Sequence, residues 1–185
     1  VEDFAAVIAM VMGSWYAMKE NHLKRMIAYS SVAQIGYIYM GMGLGIEAGM
    51  VAAVFHMISH AASKSMLFIS ANGLSEVSGG KKTFRELQGS GLRSKAAGCG
   101  FTVGALSMVG IPLFAGFTSK VYFAEAAITA STGKMAVAMI ALAISTILNA
   151  VYFLRAVVVI YMPKQNMKVA EGYRPSAMMV AAIVF

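Results

Sequence analysis

Long apolar runs, separated by loops whose positive charge alternates, constrain this chain more than any other feature of its sequence. The runs cover residues 4–18, 23–44, 47–74, 96–131, 135–162 and 175–185. An α-helix needs roughly 20 residues to cross a hydrocarbon core of about 30 Å, and most of the runs approach or exceed that. Backbone groups in such a core must be paired within the segment, so runs of this kind have to be helices. Lys19, Lys24 and Arg25 lie between the first two runs. Lys81, Lys82, Arg85, Arg93 and Lys95 lie between the third and fourth, and Lys164, Lys168 and Arg174 between the fifth and sixth. The opposite loops hold only Lys134. Basic residues collect on the cytoplasmic side of membrane proteins. The alternation therefore predicts an all-α integral membrane protein of about six crossings, with loops 19–25, 75–95 and 163–174 cytoplasmic.

Composition agrees. Of the 185 residues, 59% are hydrophobic and 12% charged, against about 25% charged in a soluble domain. A net charge of +7 could mark a nucleic-acid binder. Eleven of the fifteen Lys and Arg residues lie in the three basic loops, which assigns the charge to membrane orientation and leaves no nucleic-acid partner expected. The single Cys99 excludes an internal disulfide. Val1 is not methionine and Phe185 stands inside an apolar run, so the sequence is expected to be a piece of a longer polypeptide.

The third run carries the chemistry. His56, His60 and Lys64 recur every four residues in an apolar helix. Each step turns about 400°, so the three side chains form one stripe about 12 Å long. No carboxylate lies in 54–68 to neutralise Lys64. Ionisable groups at membrane depth are costly and face a protein interior or a water-filled path. Two imidazoles and an amine in file can take and pass protons. The competing reading makes the histidines hydrogen-bonded core residues and has Lys64 snorkel to an interface. A zinc site at His56 and His60 lacks the glutamate of the protease motif, since Met57 follows the first histidine, and no third ligand is evident.

The fourth run is too long for one straight span. Its 36 residues would measure about 54 Å as a single helix. Pro112 stands near its middle and is expected to break it, and Lys120 follows the break. Non-helical backbone at that depth is tolerated only inside protein or beside a cavity. Glu125, five residues on, sits about 140° round the helix from Lys120, so the two do not simply pair. The second run carries Lys24, Arg25, Tyr29, Ser30, Ser31 and Gln34, so one of its sides is polar and expected to be buried against other helices. Arg155 is a further basic residue within a span, and the structural reading of it is preferred.

These motifs resemble a known family. Leu23-Lys24-Arg25-Met26-Ile27-Ala28-Tyr29-Ser30-Ser31, then Gln34-Ile35-Gly36-Tyr37, are similar to a signature of the antiporter-like membrane subunits of respiratory complex I. Multisubunit cation/proton antiporters and the membrane arms of energy-converting hydrogenases share it. Phe55-His56 with His60-Ala61, Lys64 and Leu67-Phe68 resembles a second family segment. Gly110-Ile111-Pro112, Gly116-Phe117 and Ser119-Lys120 resemble its broken helix, and Asn149 to Phe153 with Arg155 the helix after it. The resemblance implies inverted five-helix repeats with one broken helix each, a design that transport folds use. By motif, residues 1–162 correspond to the second repeat, 163–174 to a polar link, and 175–185 to the start of a final helix, all within one transmembrane domain.

What the resemblance implies for function is proton translocation as part of an NADH:quinone oxidoreductase-type complex. His56, His60 and Lys64 match the central hydrophilic axis, and Lys120 the broken-helix residue where the second half-channel opens. Some members carry an acid directly after that lysine; here it is Val121. Lys24, Tyr29, Ser31, Gln34, Tyr122 and Glu125 are supporting polar candidates. No metal or cofactor is expected on this chain; quinone, NADH, flavin and iron–sulfur centres would belong to partner subunits. Expected partners are the lipid bilayer of a bacterial or archaeal inner membrane, other membrane subunits, and the N-terminal half of the same subunit. A Na+(K+)/H+ antiporter subunit or a hydrogenase arm carries the same motifs. A non-conducting helical scaffold is the alternative of a different class.

Overall fold

The computed structural model describes residues 2–130 and 132–163. They form seven helices: α1 (Glu2–Lys19), α2 (Leu23–Gly43), α3 (Glu47–Glu76), α4 (Ser90–Arg93), α5 (Lys95–Val109), α6 (Ala115–Thr129) and α7 (Thr132–Tyr161). The sixth apolar run and all but the first residue of the 163–174 link lie outside the described residues. Residues 136–161 of α7 are long and apolar enough to cross a membrane. At 21 and 30 residues α2 and α3 have the length. Their lysines, histidines and serines dilute the apolar character.

The helices close a ring. α1 packs on α2, α2 on α3, α3 on α5 and α6, and α7 packs on α5, α6 and α1. In lipid, apolar surface gains little from association, so close backbone approach by small residues does the work. A Cβ on Gly13 of α1 would come within 2.6 Å of Ala33 N, and one on Gly36 of α2 within 2.8 Å of Ala6 O. Gly41 and Gly49 bring α2 against α3 in the same way, with Gly41 O only 2.3 Å from a Cβ on Gly49.

Inside the ring, two apolar clusters are separated by a polar layer. One cluster includes Ile27, Leu67, Leu74, Phe101, Phe153 and Ile160, the other Met10, Tyr37, Met40, Ala52, Phe123 and Leu142. Between them along the helices stand Ser14, Ser30, Gln34, His56, Ser63, Lys64, Ser119, Lys120, Ser145 and Asn149, all buried. Each of α1, α2, α3, α6 and α7 thus contributes buried polar groups to this layer. Burying such groups is tolerable only where they find partners.

The α5–α6 junction positions one of the two buried lysines. Gly110 takes a left-handed conformation at φ 87° and closes α5 with a Schellman pattern: its N–H donates to Leu106 O and Ser107 O, and Ile111 N–H reaches back to Leu106 O at 3.2 Å. Pro112 follows and Leu113 sits at φ 94°, fully exposed. α6 then starts so close to α5 that a Cβ on Gly116 would lie 1.7 Å from Ser107 O.

Basic residues gather at one end. Leu23 N–H donates to Lys82 O at 3.1 Å and Phe84 N–H to Asn21 O at 3.0 Å, joining loop 20–22 to segment 82–84. Arg155 belongs to this end: its guanidinium donates to Met18 O at 3.3 Å and lies 5.2 Å from the Phe84 ring. Arg25 Nε is 3.1 Å from Glu20 Oε2. Desolvation raises the Glu20 pKa, but the N–H bonds from His22 and Asn21, with the Arg25 charge, outweigh it and hold the carboxyl below its usual value.

Candidate functional site

Helical periodicity puts His56, His60 and Lys64 on one side of α3, facing the ring interior. His56 and Lys64 are buried and His60 is half-buried. The imidazoles stack at 6.1 Å between centroids with planes 14° apart, and the Nε2 of each lacks a partner among the described residues. Lys64 turns away toward α2. Its Nζ donates to Ile27 O at 2.6 Å and to the Ser30 hydroxyl. Next to it, the Ser63 hydroxyl meets that of Ser107 at 3.0 Å, tying α3 to α5.

At the other end of the stripe, His56 Nδ1 lies 3.0 Å from Ser119 Oγ on α6, and Ser119 donates to Gly116 O at 2.9 Å. Ser119 immediately precedes Lys120, whose Nζ donates to Val109 O at 2.5 Å and Met108 O at 3.3 Å. Those are terminal carbonyls of α5, without intrahelical partners, at the negative end of its dipole. Lys120 also lines a cleft of about 370 Å³ with Gly110, Phe117, Leu142 and Thr146. Neither Lys64 nor Lys120 has a carboxylate partner among the described residues. Each amine is held by neutral oxygens, an arrangement that serves an ammonium or an amine that gives up its proton.

The supporting candidates divide. Gln34 is in the polar layer, 1% exposed. Ser31 bonds its own helix, donating to Ile27 O at 3.4 Å. Lys24 donates to Asn72 Oδ1 at 2.8 Å near the basic end, and Tyr29 packs its ring 5.7 Å from Tyr16. Tyr122 stands edge-on to Phe55, 38% exposed. Glu125 is exposed beside an open cleft of about 590 Å³ that Glu47 shares. Sequence reasoning puts Ser30 on the polar side of the second run, where the structure buries it, and gives no role to Ser119, although Ser119 falls within a motif it quotes. It also gave no role to Tyr152 and Asn149, which hydrogen-bond each other in the polar layer. Among the described residues no group of three His, Cys, Asp or Glu is placed to hold a metal ion.

Comparison with known proteins agrees with this architecture. The family described as "NADH:quinone oxidoreductase/Mrp antiporter, TM" matches residues 3–166. NADH-quinone oxidoreductase subunit N of Desulforudis audaxviator is 34% identical over 175 residues, which is 95% of this chain and 34% of that protein. The chain thus spans about a third of the length of that relative. Among solved structures, the membrane-bound sulfane sulfur reductase, an archaeal respiratory membrane complex, aligns with TM-score 0.83 and 29% identity over 99% of this chain and 36% of that one. The Mrp complex from Dietzia sp. DQ12-45-1b aligns with TM-score 0.78 and 29% identity over 88% of this chain and 30% of that one.

Proposed function

This chain belongs to the NADH:quinone oxidoreductase/Mrp antiporter transmembrane family, and from that premise we propose that it carries protons across a membrane as part of an antiporter-like subunit. In this reading α1, α2, α3 and α7 each cross the bilayer, and α5 and α6 are two halves of one broken crossing. The basic end faces the cytoplasm. Protons move along Lys64, His60 and His56 to Lys120 and leave through the cleft beside it. The observation that carries the reading is the His56–Ser119 contact of 3.0 Å, which joins the α3 stripe to the residue next to the second buried amine. Two buried lysines without carboxylate partners among the described residues, with the His56–Ser119 contact between them, fit transfer better than simple helix packing.

The relatives named as NADH-quinone oxidoreductase subunits favour a complex of that type. Electrons, quinone, NADH, flavin and iron–sulfur centres would then be handled by partner subunits, and the rest of the same polypeptide would complete the proton entry. Lys120→Ala in the complete, assembled complex tests the reading. Reconstituted in liposomes with a pH-sensitive dye, the variant is expected to assemble and lose proton pumping. Unchanged pumping would assign these residues to a scaffold.

A further inference from the structure

The polar stripe on α3 ends at His56, where the proposed path turns aside through Ser119 instead of running on along the helix. Nine residues separate His56 from Glu47, about 13 Å along α3. Glu47 and Glu125 share the open cleft at the end opposite the basic loops. Between His56 and that cleft stands the seam of α3 and α6. Its buried residues there are Gly49, Ala52 and Ala53 on α3, and Phe123, Ala126 and Ala127 on α6. Phe123 alone among these has a large side chain. Val51 and Tyr122, next in sequence to Ala52 and Phe123, already line the cleft.

The Phe123 ring is fixed directly against the imidazole. Ser119 and Phe123 are four residues apart and share one face of α6. Ser119 makes the contact with His56 Nδ1, and the Phe123 ring stands edge-on to His56 at 5.3 Å between centroids. The Tyr37 ring lies 5.9 Å from Phe123 and 5.5 Å from His56. Gly41 of α2 makes room for the ring, since a Cβ there would meet Phe123 Cε1 at 2.7 Å. On the exposed side of the seam Tyr122 stands edge-on to Phe55 at 5.3 Å. His56 Nε2 is buried without a partner among the described residues, so water arriving there would exchange a proton with the imidazole.

We infer, on the proton role given to His56 above, that Phe123 is the insulator of the path: its ring keeps the water of the acidic cleft away from His56 and compels protons to leave by Ser119 and Lys120. Glycine and alanine cannot close the seam without it. With the phenyl group removed, a gap runs from the cleft to the imidazole. A gap with an unpaired polar nitrogen at its end and open water at its mouth fills, whereas a sealed apolar void stays dry. Protons would then pass between His56 and the cleft without visiting Lys120, and the gradient built by pumping would drain back.

Liposomes holding the complete complex, with an imposed pH gradient, a pH-sensitive dye and no driving reaction, test this. Phe123→Ala is expected to raise passive proton leak at least about ten-fold. Phe123→Leu keeps a bulky apolar side chain and is expected to stay as tight as the unmodified complex. Where the alanine complex does not assemble, Phe123→Val is read in its place. The leak should persist when Lys120→Ala is added, because the bypass does not use that amine. A tight Phe123→Ala complex overturns the insulator, as does a Phe123→Leu complex that leaks equally or a leak that Lys120→Ala removes. Normal pumping by Lys120→Ala alone would refute the proton path itself. Lost pumping there beside a tight Phe123→Ala complex would refute the insulator and leave the path standing.

Discussion

Gly116→Ala tests whether the α5–α6 contact sets the position of Lys120. The new Cβ would lie 1.7 Å from Ser107 O and 2.7 Å from Ser107 C. Both are backbone atoms of α5, so no side chain can swing clear. Restoring ordinary contact near 3.5 Å means separating the helices by about 1.5 Å or more. Lys120 reaches from α6 to the α5 carbonyls of Val109 and Met108 at 2.5 and 3.3 Å, and Ser107 meets Ser63 of α3 at 3.0 Å. A shift of that size stretches all three. Overpacking costs about 1–3 kcal/mol and each weakened bond about 1 kcal/mol more. Thermal unfolding of the purified complex should therefore show a clear loss of stability, and liposome proton transport should fall at least about ten-fold. Gly133→Ala is the control: nothing lies within 4 Å of its added methyl, so it should be neutral or stabilise by up to about 1 kcal/mol. A Gly116→Ala complex with the stability and transport of the unmodified one would refute the reasoning.

Lys64→Met is expected to abolish transport while assembly persists, because it removes the amine that Ile27 O and Ser30 hold; normal pumping would take Lys64 out of the path. Gly110→Ala forces a side chain into φ 87° and sets its Cβ 2.9 Å from Lys120 Cδ, so it should destabilise by about 1–2 kcal/mol and reduce transport more than Pro112→Ala does. Comparing the two turnovers in one membrane preparation checks the order, and equal losses would put the Gly110 cap out of consideration. The Glu20 carboxyl is held below its usual value, so its contribution to stability is complete above the unfolded pKa near about 4.3 and disappears as pH falls through the folded one. Glu20→Gln should lower the melting temperature at neutral pH, with the gap to the unmodified protein closing on acidification; a gap that persists in acid would show that ionisation is not the source.

Apolar length and turn signals are local, which is why much of the helix layout is legible in the sequence. The run at 23–44 meets α2 at Leu23–Gly43, and the run at 47–74 meets α3 at Glu47–Glu76. Gly45, at φ 70°, makes the connection between them one that glycine alone adopts easily. The end of α5 was harder to read. Pro112 announces that a helix cannot continue, yet α5 stops at Val109, where Gly110 turns left-handed and its neighbours cap Leu106. Proline shows in a sequence as a lost donor. A Schellman cap depends on a backbone angle, which the letter G permits without stating it.

The candidate site divides along the same line. A period of four in α3 was sufficient to put His56, His60 and Lys64 on one face, because the helix fixes that angle. What each group touches is tertiary. Ile27 O lies 37 residues from Lys64, Ser119 lies 63 from His56, and Val109 O lies across a chain reversal from Lys120. No spacing rule reaches those distances. The consequence is mechanistic. Read from sequence, the stripe is a file in which each group hands a proton to the next. In the structure the imidazole centroids are 6.1 Å apart, and the Lys64 amine is committed to α2. In the proposed path, transfer from Lys64 to His60, and from His60 to His56, would have to be bridged by water or by rotation of a side chain, whereas His56 already touches Ser119. The slow part of the proposed path thus lies on α3 itself. A variant there should respond strongly to deuterated solvent, and one at the α6 contact should not.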